Sequence, residues 1–293
     1  MAKNKIIVAI AVLMLSLTAA AEPAKRRDWG SELKVSEQET IRNTYTVGTN
    51  PDRTLDVDNI FGSVEVVGTT GDQVQLVVLK TIRAESAEKI ALAKKEVTLD
   101  VSQENGGLKL YVNGPFRCRN CDFCQNNRED SGYLVKMDFQ LQVPNRMKLK
   151  VRTVNDGNVR GVAGDFLVRN VNGSINMSEV AGSGSATTVN GKVNVAFREN
   201  PKADSEFKSI NGNVELQFVR DLSADFRFKT MNGDVFSDFA LTALPQRAAS
   251  SEKKNGKFVI RGDRYTGGRV GAGGPEIKIE NLNGDIRVIE RHV

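Results

Sequence analysis

The chain has 293 residues, 40% hydrophobic and 26% charged, which allows a substantial core and differs from both disordered and membrane-spanning compositions. Its 41 Lys and Arg against 36 Asp and Glu leave a formal charge of only +5, spread along the chain, and aromatic residues make up 6%. A basic stripe for nucleic acid and an aromatic platform for single strands are therefore not expected.

Lys3 and Lys5 precede an apolar run over 6–17, and Ala19-Ala20-Ala21 follows it. A positive start, a short apolar stretch and small residues at its end predict a signal peptide over 1–21, cleaved before Glu22. The run is short for a ~30 Å hydrocarbon core, and no cysteine stands at the junction to accept a lipid. No later segment approaches transmembrane length, so the mature chain is expected to lack a membrane span. Lys25-Arg26-Arg27 reads as a solvated mature terminus rather than a nucleic-acid or lipid patch. It belongs to a lead-in segment over 22–47, ahead of a single β-repeat domain over 48–293.

The first unit of that domain surrounds Gly62, with apolar Leu55, Val57 and Ile60 before it and Val64 and Val66 after it. Period-two alternation puts one set of side chains on a buried face and the intervening polar ones in water. Each flank is thus expected to be a half-buried strand, with Ile60 counted among the buried set. The rhythm breaks over about 73–154, which reads as an insertion: a strand over 73–83, one short helix over 84–96 rich in Ala, Glu and Lys, then strands over 97–101, 108–112, 133–143 and 147–154.

A polar loop over 113–132 carries Cys118, Cys121 and Cys124, the three cysteines of the chain. In an oxidising compartment two of them could form a short-range disulfide, leaving one thiol for exchange or a partner. Metal binding would recruit Asp122 or Asp130 beside the three thiolates, which lack a convincing fourth ligand for tetrahedral zinc. Arg117 and Arg119 would favour thiolate in a redox role, yet no helix follows to make a thioredoxin-like site. An iron-sulfur cluster would need a fourth thiolate.

Beyond the insertion the unit returns. Gly173 has Phe166, Val168, Val171, Ile175 and Met177; Gly191 has Ala186, Val189, Val193 and Val195; Gly212 has Phe207, Ile210, Val214 and Leu216. Gly233 brings Phe226, Phe228, Met231 and Val235, and Gly284 brings Ile277, Ile279, Leu282, Ile286 and Val288. Asn155-Asp156-Gly157 reads as a variant with one extra residue, after Leu149, Val151 and Val154 and before Val159. Asparagine and glycine tolerate a tight turn better than most residues, so the chain is expected to change direction at each Asn-Gly. The glycines at 157, 173, 191, 212 and 233 lie 16, 18, 21 and 21 residues apart, and near-regular steps favour a solenoid. The fold class is all-β, a β-solenoid-like stack of short strand repeats; a two-sheet β-sandwich is the alternative. The 51-residue gap from Gly233 to Gly284 is expected to hold a loop over 245–256, a strand over 257–261 and a flexible Gly-rich loop over 267–274.

The units Val171-Asn172-Gly173-Ser174-Ile175, Val189-Asn190-Gly191-Lys192-Val193 and Leu282-Asn283-Gly284-Asp285-Ile286, with the approach Leu55-Asp56-Val57-Asp58-Asn59, resemble the bacterial putative-adhesin family of β-strand-repeat proteins. The resemblance spans roughly 45–293 and implies architecture, with surface or envelope binding by analogy. It brings no catalytic residues, and the cysteine loop lies outside its pattern.

Histidine chemistry has one candidate, His292, one residue from the end, so histidine triads and histidine acid-base catalysis are not expected. Asp156, Asp234 and Asp285 sit at or beside the corners and read as turn residues, with a paired-carboxylate glycan hydrolase as the sharper alternative. Arg261-Gly262-Asp263 matches a receptor-recognised tripeptide that is also an ordinary turn. Gly267-Gly268 and the glycines over 271–274 lack the Lys-Ser/Thr and the helix of a nucleotide loop. No catalytic or cofactor site is assigned. The expectation is a non-enzymatic exported scaffold, periplasmic rather than surface-bound, for protein or glycan contacts. A carbohydrate-active enzyme and a redox- or metal-responsive module built on the cysteine loop are the alternatives. N-terminal sequencing of the exported product should begin at Glu22; a product that keeps Met1 would remove the leader.

Overall fold

The computed structural model of the protein describes residues 33–117, 131–246, 250–254, 257–261 and 265–291. The leader, Lys25-Arg26-Arg27, Cys118, Arg119, Cys121, Asp122, Cys124, Asp130, Gly262-Asp263 and His292 lie outside the described residues.

The described chain starts with β1 (Val35–Thr46) and a first coil, β2 (Thr54–Asp58) with β3 (Val64–Thr69). Then come β4 (Gln73–Ala84), helix α1 (Ala87–Glu96), β5 (Thr98–Glu104), β6 (Gly107–Asn113) and β7 (Tyr133–Pro144). Three coils follow: β8 (Lys148–Arg152) with β9 (Gly157–Arg160), β10 (Phe166–Arg169) with β11 (Ile175–Val180), and β12 (Gly184–Asn190) with β13 (Val193–Phe197). Two more are β14 (Ser205–Asn211) with β15 (Val214–Val219) and β16 (Ala224–Lys229) with β17 (Val235–Ser237). After β18 (Thr242–Leu244), the hairpin β19 (Ser250–Lys254) and β20 (Lys257–Arg261), and β21 (Thr266–Val270), the last coil is β22 (Glu276–Asn283) with β23 (Ile286–Arg291).

Each coil gives one strand to each of two sheets, and neighbouring coils pair in parallel, residue for residue. The fold is all-β and solenoid-like; it has the two layers of a sandwich, but its strands are joined coil by coil. Equivalent apolar residues therefore lie directly above one another. Val57, Val151, Val168, Ala186, Phe207, Ile279 and Phe228 form one inward ladder of the second sheet. Val66, Val159, Met177, Val195, Leu216 and Val288 form its counterpart in the first. Ring contacts between Phe197 and Phe207, 6.1 Å, and between Phe218 and Phe226, 5.8 Å, join the two layers across the core. Full burial of such a side chain stabilises by about 1.5–3 kcal/mol, so these ladders supply most of the drive to fold.

Spatial order departs from chain order at both ends. β22 and β23 insert between β14/β15 and β16/β17, while β2 and β3 lie between β6/β7 and β8/β9. The 51-residue gap before Gly284 is the length of chain that leaves the stack and returns to fill this slot. Antiparallel strands close the ends: β1 and β4 beside β7, β5 beside β6, and β21 and β18 beside β16. The exposed edge strand β1 is mostly polar and charged, which discourages further pairing. Helix α1 packs on β4, β7 and β1 through Ile90 and Ala93. Ser86 caps it by accepting the Lys89 N–H at 3.4 Å, so the helix begins three residues later than the Ala-rich pattern suggests.

The corners are built alike. Asn232 donates its side-chain N–H to Asn283, Asn283 to Asn211, and Asn211 to Asn190, each at 2.7 Å; Asn190 donates to Asn172 at 2.8 Å. Gly212 has φ +147°, and a Cβ there would lie 2.2 Å from the Gly191 carbonyl oxygen of the next coil.

Several expectations require correction. The apolar residue two positions before the corner glycine faces outwards: Val171 is 42%, Leu282 40% and Met231 72% exposed. Strict alternation puts the residue before it inside instead, and that position is polar. Thr188 donates to the Gly173 carbonyl at 3.0 Å and Ser209 to that of Gly191 at 2.8 Å, which satisfies groups that the corner would otherwise bury unpaired. Gly157 is not a corner glycine. It opens β9 opposite Val64 and Ile175, and its coil is shorter than its neighbours, not longer. The stretch expected as a loop over 267–274 contains most of β21; a Cβ at Gly267 would meet Leu244 Cβ at 2.8 Å, so the glycine lets β18 close over it. The expected loop over 245–256 likewise contains β19.

Gly212→Ala should lower stability by about 3 kcal/mol, through backbone strain and the clash with the Gly191 carbonyl. The exposed Lys192→Ala should stay within about 0.5 kcal/mol. Urea denaturation of both variants measures the contrast, and equal midpoints would contradict the packed corner.

Candidate binding face

The two outer faces of the stack differ in kind. On the second sheet, acidic and basic residues meet on neighbouring strands and neutralise one another. Asp56 lies 3.2 Å from Lys150 and 3.1 Å from Arg152, and Asp58 lies 3.0 Å from Arg152 and 2.7 Å from Arg117. Further along, Glu280 contacts Lys229 at 2.5 Å and Lys208 at 3.3 Å, and accepts a hydrogen bond from Tyr265 at 3.2 Å. Glu206 pairs with Lys278 at 3.2 Å and Asp225 with Arg269 at 2.6 Å. Burial pushes the Glu280 carboxyl up, but the hydrogen bonds and charges of Lys229 and Lys208 outweigh it and hold the group at about 2.

The first sheet presents amides. Parallel register sets Glu65, Asn158, Asn176, Asn194, Glu215 and Arg287 in one row across β3, β9, β11, β13, β15 and β23. Asn194 donates to Asn176 at 2.9 Å and Asn176 to Asn158 at 3.1 Å. An amide in such a chain uses one N–H and its oxygen, so a second N–H and a lone pair still face solvent.

Beside this row lies a trough of about 740 Å³, lined among others by Ser178, Ala196, Gly161 and Gly68, with Arg160 and Arg198 at its side. The small residues leave the depression that long side chains would fill. Its wall includes an irregularity: the pairing of β11 with β13 shifts register between Met177 and Val180, and Glu179 there has φ +55°. A non-glycine residue in the left-handed region is strained and needs fixing by its surroundings. Arg291 does so through a short hydrogen bond from its guanidinium to the Glu179 carboxylate.

The carboxylates singled out in the sequence lie elsewhere. Asp156 accepts the Ser174 N–H at 2.7 Å, and Asp285 accepts the Asp234 N–H at 3.3 Å, so both carboxylates tie one coil's corner to the next. In the amide row, Glu65 and Glu215 are four strands apart, ~19 Å at ordinary strand spacing. Glycoside hydrolysis needs two carboxyl groups within about 5–9.5 Å. Among the described residues no three His, Cys, Asp or Glu side chains are grouped to hold a metal ion. Sequence reasoning missed Asn158, Asn176, Asn194, Arg160 and Arg198. The one available signal was asparagine three residues after Gly173 and again after Gly191; Asn158 was hidden by its shorter corner.

Residues 158–289 match the model of the family described as Toastrack DUF4097, a domain of unknown function, and the resemblance drawn from the Asn-Gly corners is borne out over this stretch. No curated protein matches the chain. Among solved structures it is similar to one described as a putative cell adhesion protein from Clostridium sporogenes, at 11% identity over 86% of this chain and 100% of that one, with a TM-score of 0.38. A putative adhesin from Bacteroides fragilis matches at 12% identity over 86% and 97%, with a TM-score of 0.39. A putative lipid binding protein from Parabacteroides distasonis matches at 10% identity over 86% and 97%, with a TM-score of 0.28.

The folded-state depression of Glu280 sets a pH dependence. Its contribution to stability is present above its ordinary value of 4.5 and is lost as pH falls towards about 2. Solvent screening limits this to about 1–2 kcal/mol. Glu280→Gln should therefore be less stable than the parent at pH 6, and the difference should vanish near pH 2; urea midpoints across this range would show a constant gap if the lysines did not hold the carboxylate.

Proposed function

We propose that this is an exported, non-enzymatic envelope protein, a rigid β-repeat scaffold whose first-sheet face contacts a partner protein or glycan. The amide row beside the trough carries this reading, because it is an ordered set of hydrogen-bonding groups with spare capacity on a rigid sheet. On the opposite face Asp56, Asp58, Glu206 and Glu280 are already paired with that face's own lysines and arginines. Export rests on the leader features of 1–21, and the periplasm rather than the surface is the location proposed. Among the described residues no helix is long and apolar enough to cross a membrane. A hydrolytic role gains no support from carboxylates ~19 Å apart across the row.

Glycan-array binding and a hydrolysis screen on the exported protein test this proposal. Asn176→Ala combined with Asn194→Ala should weaken the captured ligand by about tenfold, two neutral hydrogen bonds' worth, while the melting temperature moves by a few degrees. Undiminished binding would remove the trough from the interface. Turnover abolished by one Asp or Glu substitution would replace the scaffold with an enzyme.

A further inference from the structure

We propose that the trough recognises a linear acidic glycan, one whose sugars carry carboxylate or sulfate, and that Arg160 and Arg198 read the charge; this rests on the scaffold reading above. Arg160 stands in register with Ser178 on the neighbouring strand, and the backbone N–H of Arg198 bonds Val180 on that same strand from its other side. The two arginines thus flank β11, two strand spacings or ~10 Å apart across the sheet and displaced from one another along it.

These two are the cations among the described residues lining the trough. Among the described residues no hydrogen bond or ion pair holds the exposed Arg160 guanidinium. Arg198 has, among the described residues, only its sequence neighbour Glu199, at 3.8 Å between exposed side chains, which is worth little. Glu179, the acid between them, is already taken by Arg291. Glu65 is the remaining negative charge at the trough, and it stands one row away, level with Asn158 rather than Arg160. The face therefore offers two uncommitted guanidiniums beside spare amide N–H groups, a donor-rich surface suited to carboxylate or sulfate oxygens and hydroxyls.

The same observations disfavour a peptide and a neutral sugar. An extended peptide binds by adding to an open strand edge, whereas β9, β11 and β13 are paired on both sides. Protein hot spots are built around buried aromatic anchors, and among the described residues no aromatic one lines the trough. For the same reason a neutral sugar finds no ring to lie against, so charge has to supply the affinity.

Titration calorimetry with oligogalacturonate, its uncharged methyl ester, a sulfated oligosaccharide and polyglutamate tests the assignment on the full exported chain. At least one acidic oligosaccharide should bind, more weakly as salt rises. The Arg160→Gln/Arg198→Gln variant should lose about five- to tenfold in affinity for it and leave the melting temperature unchanged. The methyl ester should bind weakly and be indifferent to that variant. Equal affinity for ester and acid, an unaffected arginine variant or no acidic glycan bound would overturn the proposal. Polyglutamate bound in place of glycans would overturn it in favour of an acidic peptide yet leave the trough as the interface. Binding that ignores both the arginine and the Asn176/Asn194 variants would defeat the trough reading itself.

Discussion

The structure depends on how closely successive coils approach at their corners. Coils spaced at a strand's width place the carbonyl oxygen of Gly191 within 2.2 Å of where a side chain on Gly212 would begin, so only a bare Cα fits. The backbone bonds that this approach allows, such as Gly191 N–H to the Asn211 carbonyl at 2.9 Å, hold the bend in register. Register then propagates: with corners aligned, every inward apolar residue meets its equivalent in the next coil, and every outward one does too. A slip of one residue would turn Phe207 and Leu216 outwards, which the hydrophobic penalty forbids. The asparagine ladder contributes less energy per bond, about 0.5–1.5 kcal/mol, than the core behind it, but it specifies which residue stacks on which.

A stack of this kind has exposed ends, and this chain deals with them by interleaving. The final coil, β22 with β23, is not an end coil but a wedge between β14/β15 and β16/β17, and the first coil is similarly enclosed by β6 and β7. In an ordinary solenoid each repeat contacts only its sequence neighbours. Here β16 and β17 reach the stack through strands that follow them by some fifty residues, so the closing contacts are long-range and the assembly is more cooperative than its repeats suggest. The antiparallel caps cover much of what remains, although β17 leaves Phe236 51% exposed at the edge of the first sheet.

Identical stacking also explains how one scaffold carries two unlike faces. Because outward residues line up in rows, a small bias in residue type at one repeat position becomes a continuous surface property. Acids and bases on neighbouring strands give the second sheet separate groups of ion pairs, one around Asp56 and Asp58 and another around Glu280. Asparagine at equivalent positions of β9, β11 and β13 makes the first sheet an amide row, and the small Ser178 and Ala196 beside it open the trough.

Much of the architecture was legible in the residues alone. The strands, the Asn-Gly bends, the solenoid stacking and helix α1 follow from alternation, turn chemistry and helix propensity, which are local properties written in consecutive residues. The alternation even held the clue to its own misreading, since a strict count from Phe166 and Val168 places Asn170, not Val171, on the inner face. Three things required the tertiary structure. Which coil lies beside which depends on a contact between β15 and β23 that no local pattern encodes. Gly267 and Gly268 resemble a loop in isolation and become a strand only because β16 and β18 pair on either side of them. The candidate face arises from residues in separate repeats, brought together by register, so the spacing of Arg160 and Arg198 around Ser178 exists only once the coils are stacked.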